Sequence, residues 1–169
     1  MRHDVITAAP FVLTVATALA GVTPPITMRG WGPVKVGMTP AEASAALGSP
    51  LEIPQGESAF AAECHYRTTA GAPGLLFMVE DNRIVRVQTK QREYSTPTGV
   101  RVGDSEEQAI RAYTGRAEVR PHKYSPSGHY LVILASDGRH AVVVETDKGK
   151  VVAIRGGRRP AVEYVEGCL

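Results

Sequence analysis

Beyond residue 33 the chain alternates short helical stripes with strand-like runs. In the first half, residues 62–67, 75–80 and 83–89 are apolar or alternating segments that predict strands. Asp81-Asn82 supplies the tight turn between the last two. In the second half, residues 118–123, 130–136, 141–146 and 151–155 read the same way, with Asp137-Gly138 and Lys148-Gly149 as turns. A last alternating run, AVEYVE at 161–166, predicts an edge strand. Gly156-Gly157 open no helix and read as a turn.

Two short helices precede these strand sets. Thr39-Pro40-Ala41-Glu42 spells a capping box with Pro at the first helical position. Ser105 and Gln108 form the equivalent pair in the second half, with Glu106 and Glu107 suited to the positive helix end. Gly48 and Gly115 mark the stops. Ala43, Ala46 and Leu47 form one apolar stripe, and Ala109, Ala112 and Tyr113 the other. Helices of about two turns persist only with tertiary packing.

The two halves match in order and spacing. VKVGMTPAEASAALG, from Val34, aligns with VRVGDSEEQAIRAYTG, from Val100. Downstream, FMVEDNRIVRV, from Phe77, aligns with VETDKGKVVAI, from Val144. The organisation expected is an extended leader at 21–33, repeat 1 at 34–89, a polar connector at 90–99 and repeat 2 at 100–169 with the edge strand. The fold class expected is α+β: two helix-plus-antiparallel-meander repeats, with the helices packed on one face of the sheet. In the leader, Ile26, Met28 and Trp31 are the residues expected to dock on the body.

Residues 1–20 are an address. A charged start with Arg2 and His3 leads into an apolar run ending at Ala18-Leu19-Ala20, the signal-peptide pattern. The run contains Pro10 and is short for a membrane span, which needs about 20 apolar residues. No Cys follows the cleavage site, so no lipid attachment is expected there. The protein is therefore expected to be exported, periplasmic or secreted, with no stable membrane span after cleavage. In an oxidising compartment, Cys64 and Cys168 are expected to pair, closing a loop of about 100 residues. Free buried thiols or an intermolecular bridge are the alternatives.

The strand ending in V-x-V-G-M, the capped helix, the L-G-x-P stop and the closing hairpin resemble the tandem repeats of β-lactamase inhibitor protein. They also resemble the BamE type of outer-membrane assembly lipoprotein. The resemblance covers residues 34–155. It implies a non-enzymatic, exported, protein-binding module. BamE-type lipoproteins carry a lipidated Cys after the signal, and the inhibitor carries a disulfide within each repeat. This chain has neither arrangement. No contact residue of the inhibitor maps onto a position here.

The chain has 169 residues and 21% charged positions, ordinary for a globular protein. Its net charge of +2 is too weak for a nucleic-acid footprint. His122 and His129 lack the paired short spacing of a zinc site, so no metal and no cofactor are expected. GESAF, from Gly56, lacks the closing Gly of a nucleophile elbow, and Cys64-His65 point to opposite strand faces. No catalytic residue is expected. Five cations fall in 148–159, a run that serves solubility or meets an acidic partner. The candidate binding patch is His122, Tyr124, His129 and Tyr130 on a loop, together with Arg158 and Arg159. The leading expectation is an exported protein-binding module acting on another exported or envelope protein, in one version as an enzyme inhibitor. A carbohydrate- or envelope-polymer-binding module is the alternative, and an unrecognised enzyme using His122 and His129 is the third.

Overall fold

The computed structural model describes residues 23–56 and 63–168. The expected signal peptide, residues 1–20, lies outside the described residues. Three two-residue strands come first: β1 (Ile26–Thr27), β2 (Gly30–Trp31) and β3 (Val34–Lys35), which form a small antiparallel sheet. Then follow α1 (Pro40–Leu47) and β4 (Cys64–Arg67), β5 (Leu75–Glu80) and β6 (Arg83–Thr89). After the connector come α2 (Glu106–Ala112), β7 (Ala117–Pro121), β8 (His129–Leu134), β9 (His140–Asp147) and β10 (Lys150–Arg158). Strands β4 to β10 build one seven-stranded antiparallel sheet in the order β4-β5-β6-β10-β9-β8-β7. Two meanders thus meet where β6 pairs with β10.

The local grammar of the chain explains most of these elements. Asp81 and Asn82 take φ of 47° and 58°, the left-handed pair that a two-residue hairpin demands. Lys148 and Gly149 do the same between β9 and β10. Both capping boxes form: Thr39 accepts from the Glu42 amide, and Ser105 accepts from the Gln108 amide. The aligned segments also make matching backbone pairs. Gly37 N–H donates to Ile84 O, and Ile84 N–H to Met38 O, each at 2.8 Å. Gly103 N–H donates to Val151 O at 2.8 Å, and Val151 N–H to Asp104 O at 2.9 Å.

The expected α+β class is corrected by this architecture. The fold is mostly β, and its helices do not pack as repeats on a sheet face. The reason is size. The helices have 8 and 7 residues, and each buries a single alanine, Ala43 or Ala109. Ala46 is exposed, and Leu47 and Ala112 are only half-buried. Two such helices cannot cover seven strands. The leader sheet and the connector complete the cover. Ile26, Trp31 and Val34, with Tyr94 and Val100, close over Phe77, Leu131, Val144 and Ile154 in the main core. The leader is thus a small sheet rather than an extended arm. Its Trp31 packs edge-on against Tyr94 at 5.8 Å.

The opposite sheet face has its own cover. Residues 160–168 cross it as a strap. The expected edge strand at 161–166 is absent: Ala161–Glu163 form a 3-10 turn, and Ala161 and Val162 are buried against the sheet. Ala161 packs with Met78 and Val85, and Val162 with Tyr130, Val132 and Val143. The strap ends at a Cys64–Cys168 disulfide with Cα atoms 5.4 Å apart. Gly156 and Gly157 are not a turn. They lie inside β10, where the backbone is approached from both sides. A Cβ at Gly156 would stand 2.2 Å from Thr27 O, and one at Gly157 2.3 Å from Val85 O. No described helix is long and apolar enough to cross a membrane.

Candidate functional site

The strap leaves part of its sheet face open, and the strands send polar side chains there. Alternation along β6 puts Arg86 and Gln88 on one face. Register sets Gln88 opposite Arg155 of β10 and Leu76 of β5. Ala153 of β10 stands opposite Glu145 of β9. Between this surface and residues 165–167 lies a cleft of about 500 Å³, with Tyr66, Thr68, Lys90 and Gln91 on its walls.

Two arginines fasten the strap beside this cleft. Arg86 Nη1 donates to Ala161 O and to Tyr164 O, both at 2.9 Å, and its Nη2 donates to Tyr66 Oη at 2.6 Å. Arg155 Nη1 donates to the same Tyr164 O at 2.8 Å, and its Nη2 pairs with Glu145. Both are deeply buried, with 2% and 4% of their surface exposed. The Nε–H of each has no hydrogen-bond partner among the described residues. Burial pulls the Arg86 guanidinium down to about 10; the Tyr66 hydroxyl opposes this and the neighbouring Arg155 charge adds to it. Arg86 therefore remains a cation at neutral pH. A buried cation held by carbonyls and a phenol is costly unless those acceptors are well placed.

The expected patch is only partly assembled. His122 and Tyr130 do meet: their rings stack at 4.6 Å, with the Arg155 guanidinium 5.5 Å from the Tyr130 ring centre. His122 Nδ1 accepts from the Tyr124 and Ser125 amides, each at 3.1 Å, which leaves Nε2 to donate to Glu145 Oε1 at 3.2 Å. The imidazole thus shapes its loop and is nearly buried. Tyr130 is buried too, and burial followed by the Glu145 charge raises its phenol above the ordinary 10. Tyr124 stands in solvent, 62% exposed, with Lys123 Nζ 5.1 Å from its ring centre.

The other three residues lie elsewhere. His129 neighbours Tyr130 on β8, so it points to the opposite face, where Nδ1 lies 3.1 Å from Glu106 of α2. Arg158 sits at the far end of β10, 3.8 Å from Glu80. Arg159 pairs with Glu163, which also accepts from Arg120 at 3.0 Å. Both arginines thus have local counter-charges. Sequence reasoning counted Arg155 only within a basic run and passed over Arg86. Each sits among apolar residues, in IVRVQT and VVAIRGG, and that interruption of a buried strand was the available signal.

Among the described residues, no group of three or more His, Cys, Asp or Glu side chains is placed to hold a metal ion. No family model matches the chain, and neither a curated protein nor a solved structure matches it.

Proposed function

We propose that this protein is an exported, non-enzymatic binding module and that its ligand, carried by another exported or envelope macromolecule, sits in the cleft beside the C-terminal strap. The observation that carries this reading is a preformed concavity of mixed polar and apolar lining whose rim is fixed in three places. Arg86 and Arg155 hold the middle of the strap, and Cys64–Cys168 holds its end. A rim already ordered costs little further entropy on binding. The disulfide accords with export into an oxidising compartment. The inhibitor version of this reading rests on the resemblance of the tandem segments to β-lactamase inhibitor protein. The glycan version draws on the hydroxyl and amide groups of the cleft.

The test is a blocking substitution. Gln88→Trp places a large ring on the cleft floor, at a half-buried position facing open space. Immobilised, disulfide-bonded protein and this variant would be exposed in parallel to envelope protein and envelope glycan fractions. Material retained by the parent and lost from a folded Gln88→Trp variant is the expected result. Equal retention by both would refute the cleft as the binding surface. Chemical conversion of the retained material would refute the non-enzymatic reading.

A further inference from the structure

Resting on the cleft as the binding site, we infer that its ligand is an acidic carbohydrate, bound through a carboxylate in the field of Arg86 and Lys90. Three cations line the cleft, Arg86, Lys90 and Arg155, against two carboxylates, Glu145 and Glu166. The carboxylates are already engaged. Glu145 serves Arg155 and His122, and Glu166 serves Lys123. Among the described residues, neither Arg86 nor Lys90 has a carboxylate at ion-pairing distance. Among the described residues that line the cleft, cations therefore outnumber carboxylates by three to two, and Glu80 acts on Arg86 only from beyond ion-pairing distance.

Burial makes that charge count. Arg86 is 98% removed from solvent, so its field is weakly screened compared with that of a surface lysine. Its Nε–H and that of Arg155 are buried donors without partners among the described residues, and both side chains line the cleft. Guanidinium groups match planar carboxylates in shape as well as charge. Lys90, by contrast, is exposed at the rim, where a charge mainly steers an approaching anion.

The remaining lining selects carbohydrate over peptide. Its volume is that of a small-molecule site, about 300–1,000 Å³, but such sites are usually mostly apolar. Here Thr68, Gln88 and Gln91 present hydroxyl and amide groups beside the Tyr66 ring. Peptides are usually anchored by side chains entering apolar pockets or by strand pairing. Apolar residues, Leu75, Leu76, Ala153 and Val165, share the lining with these polar groups, and the floor is a sheet face rather than an edge. Sugar hydroxyls fit donors and acceptors spread over a flat surface, and a uronate supplies the anion.

The test is an amide-resolved titration of the disulfide-bonded protein with four probes. These are trigalacturonate, a hyaluronate hexamer, the neutral trimer maltotriose, and triglutamate. The expected result is that at least one uronate probe shifts the Gln88, Lys90 and Gln91 amides and binds at least about tenfold more tightly than maltotriose, as one lost charged contact implies. Lys90→Glu, an exposed change that leaves the fold intact, weakens that binding by a similar factor, and added salt weakens it further. Lys148→Glu, on the hairpin outside the cleft, leaves it unchanged. Equal binding of maltotriose in the cleft overturns the anion and leaves the cleft reading standing. Triglutamate bound there in place of either uronate probe overturns the carbohydrate and likewise leaves the cleft. Absence of uronate-induced shifts at these amides overturns the proposal, and the Gln88→Trp comparison then decides the cleft reading separately.

Discussion

Removing both cysteines, as Cys64→Ala with Cys168→Ala, tests how the strap is held. The two residues are 104 apart in sequence. In the chain-entropy account, a cross-link closing a loop of that size contributes about 4.7 kcal/mol at 25 °C by restricting the unfolded chain. That is a large part of the roughly 5–15 kcal/mol by which domains are stable. The folded state should change much less. Arg86 and Arg155 still donate to Ala161 O and Tyr164 O, and Val162 still packs against Val132 and Val143. The expected outcome in urea is therefore a folded variant with near-parent amide shifts around Tyr164. Its midpoint should fall by about 1.5 M or more at an m-value of about 3 kcal/mol/M. A global loss below about 1 kcal/mol, with strap amides alone becoming unprotected from hydrogen exchange, would refute the reasoning. The bond would then act locally on the native strap.

Other substitutions probe the remaining supports. Arg86→Met removes three hydrogen bonds but also a desolvated cation, so a net cost of about 2–4 kcal/mol is expected. Hydrogen exchange should quicken in the strap more than in β8 and β9, and an unchanged strap would contradict its anchoring role. Gly156→Ala sets a Cβ against the Thr27 carbonyl, and thermal unfolding should show a loss of at least about 1–3 kcal/mol. A neutral result would mean that β1 does not lie on β10 as described. Asp137 is held at about 2, below its ordinary 3.8, chiefly by the Arg139 amide and then by His140 and Arg29. Its folded value is depressed, so its stabilising effect is present above about pH 4 and is lost as pH falls from there towards 2. Asp137→Asn should be less stable than the parent at pH 5 and should converge with it near pH 2, and a constant gap would refute this assignment.

Much of the sheet was legible from the chain. Residues 75–80 and 83–89 form β5 and β6 at the expected bounds because hairpin geometry is local. Asp81-Asn82 tolerates left-handed backbone, and alternation fixes which side chains share a face. Both capping boxes form for the same reason. Segments whose structure depends on distant partners were misread. AVEYVE alternates like a strand, yet Arg86 and Arg155 take the Ala161 and Tyr164 carbonyls and hold it as a strap. Gly156-Gly157 look like a turn until β1 and the bulged β6 are seen to approach them from either side. The fold also spreads the loop aromatics, as alternation alone does not show: His122 and Tyr130 stack inward, His129 turns to the other face and Tyr124 stands in solvent.

Sequence by itself determined the hairpin strands of the main sheet, the tight turns between them, the helix starts and the expectation that Cys64 and Cys168 pair. Each rests on backbone preferences, side-chain alternation or compartment chemistry, which act locally or need no coordinates. Tertiary structure alone decided that two short helices would leave the sheet to be covered by the leader and connector. It also decided that the C-terminus would cross the opposite face and that Arg86 and Arg155 would converge beneath it. Those outcomes depend on which surfaces remain uncovered after the strands pair. A buried arginine acquires its meaning only from the carbonyls that a remote segment brings to it.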